Sequence, residues 1–222
     1  MLSESTEMYL ITVYRLTTRQ AETTIRELAD QLGVALSSAS EKVRLLTEQG
    51  YLEHPWREGV SLTESGQRIA MHVLRKNRLA ITFLVQVMGY PLDEALEDAC
   101  DLEHAMSERM VERLDALLGH PSVDACGLPI PASDGTIAHR PVPHLLDVPA
   151  GSAATVCRLE ALEPERLKYL QSIGVRPGVE VMVTDIMPFE GPLMIAIGES
   201  TIAMGRSLAA DVGVLIVCEG EH

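Results

Sequence analysis

Cys100, Glu103 and His104 stand together in "EDACDLEHAMSERM", residues 97–110. A thiol, a carboxylate and an imidazole spaced i, i+3 and i+4 share one face of a helix. They are also among the commonest kinds of transition-metal ligand. The competing reading is a partly buried cysteine beside a solvated Glu–His pair, and the spacing alone does not choose. Three ligands on one helical turn leave a metal under-coordinated, so a fourth must come from elsewhere. Met8 is a candidate, because its thioether is a soft ligand and its segment precedes a helix pair suited to DNA.

No catalytic arrangement accompanies these residues. The chain has no G-x-S-x-G, no H-E-x-x-H and no phosphate-binding glycine loop. Cys100 and His104 imitate a nucleophile–base pair, but neighbours on one helical turn rarely make an active site. The residues point to a binding protein and not to an enzyme.

The elements that would position such a site begin with residues 5–19. Tyr9, Val13 and Leu16 recur there at helical spacing. Thr24 and Glu27 then stand in capping-box spacing ahead of Ile25, Leu28, Ala29 and Leu32, which share one face, and Gly33 ends that helix. Residues 35–50 predict a further helix with Ala39, Val43 and Leu46 inward and Gly50 at its end. Helix, glycine turn and helix match helix-turn-helix geometry, and the small Ala29 lets the pair approach closely. Tyr51 and Leu52, then Val60 and Leu62, flank "PWREG" as a short β-hairpin would, which makes a wing.

Along the second helix of the pair, Ser37, Ser38, Ser40, Lys42 and Arg44 could meet a major groove and its phosphates, although serines at a helix start also act as simple caps. Glu41 is unfavourable near phosphate but can accept from cytosine. On the wing, Arg57 is the natural phosphate contact, and Trp56 packs along a sugar or anchors the hairpin.

A net charge of −14 over 222 residues opposes DNA binding, which depends largely on phosphate neutralisation. Its distribution matters more than its total. Residues 1–76 carry about −1, residues 77–140 about −7 and residues 141–222 about −6. A DNA-binding first domain is compatible with this, and the acidic middle suits a cation. Apolar residues make up 46 %, yet no window approaches eighteen uninterrupted apolar residues, so no membrane span is expected. The start, "MLSESTEMYL", has no basic region followed by an apolar core, and the four cysteines form no C-x-x-C pair. Both point to the reducing cytosol.

Residues 64–88 predict a long helix, and residues 92–118 continue as helix with Leu92, Ala95, Leu96, Ala99, Leu102, Met106, Met110 and Leu114 apolar. So broad a stripe asks for a partner surface, most simply a second copy of the chain, with intrachain packing as the alternative. Residues 121–149 are rich in proline and read as a linker or extended arm. Beyond them, "VEVMVTDI", "LMIAIG" and "VGVLIV", with one short helix in "EPERLKYLQSIG", predict a small β-barrel of the SH3 kind.

Together these residues resemble the diphtheria-toxin-repressor family of metal-dependent transcriptional regulators. "TEMYLITVYRL", "VSLTESGQRIA", "DACDLEHAMSERM" and "GLPIP" look like its signature segments, and "LQSIGVRPGVEV" looks like its C-terminal barrel, itself similar to small proteins of bacterial ferrous-iron uptake. The resemblance covers nearly the whole chain. It implies a mainly α fold with β structure: a winged helix-turn-helix domain over 1–76, a helical metal-binding and dimerisation domain over 77–140, a linker at 141–149 and an SH3-like barrel over 150–222. The implied protein is a cytoplasmic homodimer that binds palindromic operators in double-stranded DNA, represses metal-uptake genes and touches no membrane.

Carried over residue by residue, the family's principal regulatory site falls on Met8, Cys100, Glu103 and His104, the ligand types of its iron-responsive branch. The manganese-responsive branch places acidic residues at the positions of Met8 and Cys100. Sulfur donors suit Fe²⁺ better than Mn²⁺, and Co²⁺ or Ni²⁺ are expected to bind in vitro. The ancillary site does not carry over: its helical ligands align with Asn77, Ile81 and Leu96, and its barrel ligands with Glu163, which is kept, and Arg166. One metal per subunit is expected, with the barrel docked by a salt bridge or not at all. The implied mechanism ties the first helix to the Cys-Glu-His helix through the metal and so sets the spacing of two recognition helices. The alternatives are a manganese-responsive member, a metal-trafficking protein without an operator, and redox sensing through Cys100.

Overall fold

Thr24 and Glu27 close the capping box that their spacing predicts. The Glu27 amide donates to Thr24 Oγ1 at 3.1 Å, and the Thr24 amide donates to Glu27 Oε2 at 2.8 Å. They start α2 (Ile25–Leu32) in the computed structural model of the chain, which describes residues 2–18, 22–54, 59–138, 141–160 and 164–216. Gly33 ends α2 at φ 64°, where a side chain would clash with the following carbonyl, and α3 (Leu36–Glu48) follows. Ala29, Ala39, Val43 and Leu46 are buried, as helical spacing predicts.

These helices belong to the first of two compact units, which comprises Met1–Asn77, Leu102–Met106 and Pro131–Ile137. Ahead of them, α1 (Glu4–Thr17) is capped by Ser3 and buries Tyr9, Leu10, Ile11, Val13 and Tyr14. After them, β1 (Leu52–Glu53) pairs antiparallel with β2 (Ser61–Leu62), and Thr23 bridges to Val60 beside the pair. Two residues per strand cannot hold a hairpin alone. Leu52 and Val60 anchor it by full burial in the core shared with α1, α2, α3 and the first half of α4 (Glu64–Gln86). Trp56 and Arg57 lie outside the described residues.

The second unit comprises Arg78–Asp101, Ser107–Ile130 and Ala138–His222. The single helix expected over 92–118 is two helices, α5 (Leu92–Ala105) and α6 (Glu108–Leu117). Ser107 divides them: at φ −75° and ψ 155° it is extended, and its hydroxyl accepts from the Met110 amide. The apolar stripe is largely used within the chain. Leu92, Ala95, Ala99, Met106 and Leu114 are buried, and Leu96 packs against the barrel core. Met110 at 49 % and Leu117 at 66 % exposure remain at the surface.

The barrel is a five-stranded antiparallel sheet in the order β6-β5-β4-β3-β7, built from β3 (Ser152–Leu159), β4 (Glu180–Ile186), β5 (Leu193–Ile197), β6 (Ser200–Met204) and β7 (Val212–Ile216). Two short helices, α7 (Pro164–Ser172) and α8 (Arg206–Ala209), complete it. Residues 141–149 are not the linker their prolines suggest. Leu145 and Val148 are buried in the barrel core, and the Val214 amide donates to Pro143 O at 2.9 Å.

The turn at 124–128 lies directly on β3. Asp124 accepts from the Cys126 and Leu128 amides at 2.8 and 2.9 Å and faces Arg78 at 3.7 Å. The Leu159 amide donates to Cys126 O at 2.8 Å. Gly127, at φ 79°, sits so close that a Cβ there would stand 2.0 Å from Cys157 O. Arg166, which stands at an ancillary ligand position, pairs with Asp211 and donates to Ser207 O inside the barrel. The salt bridge from the barrel to α5 is Lys168–Asp93 at 3.5 Å, and with Lys168 68 % exposed it contributes little beside the Leu96 packing.

Two substitutions test these supports. Thr24→Ala is expected to lower stability by about 1 kcal/mol through loss of the cap. Gly127→Ala is expected to cost about 2–4 kcal/mol, because left-handed strain adds to a backbone clash that cannot relax. Urea unfolding of both variants, read against wild type, measures each loss.

Candidate metal centre and DNA interface

Three consecutive residues of α1 face three different tasks. Thr6 accepts from Lys42 Nζ of α3 at 3.1 Å. Glu7 Oε2 lies 2.8 Å from His104 Nδ1 of α5. Met8, half-buried, follows. Successive side chains of a helix point about 100° apart, so one short stretch of α1 can address α3 and the end of α5 together.

On α5, Glu103 is buried at 2 % exposure, and its Oε1 lies 3.3 Å from His104 Nε2. Burial lifts the Glu103 carboxyl to about 7, against the pull of the Arg15 and His104 charges and a hydrogen bond from the Asn77 side chain. Glu103 Oε2 and His104 Nε2 are both buried and have no hydrogen-bond partner among the described residues. Each such orphan costs about 1–3 kcal/mol, so the pair is more readily explained as a binding site than as a structural contact. An imidazole nitrogen and a carboxylate oxygen, with a thioether on the neighbouring helix, form a borderline-soft donor set that fits a divalent transition metal.

Of the four expected ligands, the structure brings Glu103 and His104 together, with α1 joined to them through Glu7. Cys100 is exposed, one turn earlier on α5. Among the described residues no group of three His, Cys, Asp or Glu side chains converges as a preformed ion site. The helical positions expected to have lost the ancillary ligands carry other duties. Asn77 is buried and holds Glu103, Ile81 is buried, and Leu96 packs on the barrel. Glu163 lies outside the described residues. Sequence reasoning missed Glu7, Arg15 and Asn77. Glu7 reads locally as an acid favoured in a first helical turn, and its partner is 97 residues away.

On α3, Ser37, Ser38, Ser40 and Glu41 are exposed as a groove-reading face requires. Arg44 is exposed and paired to Glu48 at 2.5 Å, an i,i+4 contact that gives way at little cost. Lys42 is half-buried and its Nζ donates to Thr6 of α1, which favours a link between helices over its expected place among the phosphate contacts. Leu36, at 49 % exposure, lies at the start of the same helix and was not anticipated.

Three family models cover most of the chain in order. Residues 1–60 match the iron dependent repressor N-terminal DNA binding domain, residues 63–132 the iron dependent repressor metal binding and dimerisation domain, and residues 144–215 the FeoA domain. The iron-dependent repressor IdeR of Mycobacterium tuberculosis is 30 % identical over 230 residues, which span 96 % of this chain and 97 % of that one. The chain belongs to the diphtheria-toxin-repressor family. A further member, the diphtheria toxin repressor of Corynebacterium efficiens, is 27 % identical over 223 residues, 96 % of each chain. Among solved structures of the family, a manganese-dependent transcriptional repressor in complex with manganese superposes with a TM-score of 0.86 at 35 % identity, covering 96 % of this chain and 100 % of that one.

The family's DNA-binding domain is thus in place, and Lys42 can be tested within it. A lost phosphate contact lowers the slope of log affinity against log salt by about 0.9. Lys42→Met is expected to weaken DNA binding with that slope unchanged, as measured by fluorescence anisotropy from low to high salt.

Proposed function

We propose that the chain is an iron-responsive repressor of metal-uptake genes, acting in the cytoplasm as a homodimer on palindromic operators in double-stranded DNA. Its regulatory ligands in this reading are Met8, Cys100, Glu103 and His104. The observation that carries it is the buried, orphaned pair Glu103 Oε2 and His104 Nε2. That pair is tied by Glu7 to the helix that also bonds the recognition helix. The relative named an iron-dependent repressor and the one named a diphtheria toxin repressor support the activity, and the sulfur donors support Fe²⁺.

A bound divalent cation would supply positive charge beside Glu103 and offset part of the about −7 carried by residues 77–140. The chain's own residues do the rest. Met8 and Glu7 present α1 to α5, and Thr6 carries the position of α1 to Lys42 on α3. The DNA-competent arrangement must bind metal better than the alternative one does, and the ratio of the two affinities sets the size of the switch. Ser37, Ser38, Ser40, Glu41 and Arg44, with Trp56 and Arg57 of the wing, remain the proposed DNA contacts.

A manganese-responsive regulator is the second reading, favoured by the 35 % identity to a manganese-dependent repressor. Co²⁺ or Ni²⁺ would serve as probes in vitro for either. Anaerobic binding to DNA upstream of the chain's own and neighbouring uptake genes separates these readings. Under the first, Fe²⁺ tightens binding about 5–150-fold over chelated protein, and both Cys100→Ala and Met8→Ala abolish the gain. Activation by Mn²⁺ that persists in Cys100→Ala would establish the second reading. Equal binding in the presence of chelator would refute both.

A further inference from the structure

His104 presents two nitrogens to two different carboxylates, and they cannot play the same role. Nδ1 lies 2.8 Å from Glu7 Oε2, a good hydrogen-bond distance. A carboxylate accepts, so in the neutral ring the proton sits on Nδ1 and Nε2 carries the lone pair. Nε2 in turn lies 3.3 Å from Glu103 Oε1, and the Glu103 Oε2 beside it has no partner. Two buried acceptors facing one another repel unless a proton or a metal cation lies between them. Glu7 meets the ring on the edge opposite Nε2. It is therefore placed to orient the ligand and not to be one.

We propose that Glu7 is a positioning residue of the metal centre: it fixes the tautomer and orientation of His104 and seats the first turn of α1 on the end of α5 before metal binds. The proposal rests on His104 being a ligand. Carboxylates that hold a ligating imidazole through its second nitrogen raise its basicity and fix its aim, and their loss typically weakens metal 10–100-fold. Here the positioning residue also belongs to the helix that bears Met8. One hydrogen bond therefore prepares the imidazole and brings the thioether's helix into place. The same turn bonds Lys42 through Thr6, so α1 is held against both α3 and α5 by neighbouring residues.

The test uses Co²⁺ as the probe, with the full chain in wild-type, Glu7→Ala, Glu7→Asp, Glu7→Gln and His104→Ala forms. Titration followed by the cobalt d–d and thiolate charge-transfer bands gives affinity and donor set together. Nitrogen-15 spectra of the metal-free histidines give the His104 tautomer. Glu7→Ala is expected to weaken Co²⁺ about 10–100-fold, to leave the band positions unchanged and to deplete the Nδ1–H tautomer. Glu7→Asp, one methylene short of the ring, shows the same pattern and serves if the alanine variant does not fold. Glu7→Gln, whose amide oxygen accepts the same bond, restores most of the affinity and the tautomer.

Wild-type affinity in Glu7→Ala alongside a loss in His104→Ala would overturn the role of Glu7 alone. A shift of the d–d bands in Glu7→Ala would also overturn it, because Glu7 would then be a ligand. Undiminished affinity in both Glu7→Ala and His104→Ala would overturn the ligand reading and this proposal together.

Discussion

The hydrogen bond between Glu7 and His104 joins residues 97 apart in sequence, and the rest of the site depends on it. It brings the first helix of the DNA-binding unit to the end of the helix that carries Cys100, Glu103 and His104. Without it, Met8 would sit on a helix held by its apolar face and the Thr6–Lys42 bond. A bond between a carboxylate and an imidazole is stronger than a neutral one, and partial burial at both ends shields it from competing water. The constraint is local and directional. That is the property a sensor needs at a joint that must have two states.

Burial around Glu103 works against folding and in favour of binding. Its carboxyl is lifted to about 7 by desolvation, while Asn77 and the Arg15 charge restrain that rise. A carboxylate held in this state is neither comfortable alone nor neutralised by its neighbours. In the proposed site, a cation meeting the orphaned oxygen and the imidazole nitrogen would recover that cost. Strain of this kind is common at functional sites, and buried Asp124, lifted to about 6, shows it elsewhere in the chain, where Arg78 and two backbone amides offset it.

Much of the fold was legible in the sequence because its elements are specified locally. The Thr24–Glu27 box, the turn at Gly33 and the inward face of Ala39, Val43 and Leu46 all follow from short-range patterns. Where the reading failed, the deciding contacts were distant or masked by composition. Ser107 broke the expected helix by capping where periodicity ran straight through it. Leu145 and Val148 were hidden among prolines yet fill the barrel core. Of the site, the Glu103–His104 pair was readable from spacing. The Glu7 partnership and the turning of Lys42 toward Thr6 were not, since nothing near either residue announces a partner on another helix.

The seating of the 124–128 turn on β3 bears on how the barrel takes part in regulation. The barrel's contacts include a backbone bond from Leu159 to Cys126, a glycine with no room for a side chain, the apolar packing of Leu96 and the exposed Lys168–Asp93 pair. None of these groups belongs to the proposed ligand set. In linkage terms a junction whose contacts are the same in both states would be silent toward metal. A barrel held in this way would act as ballast on α5.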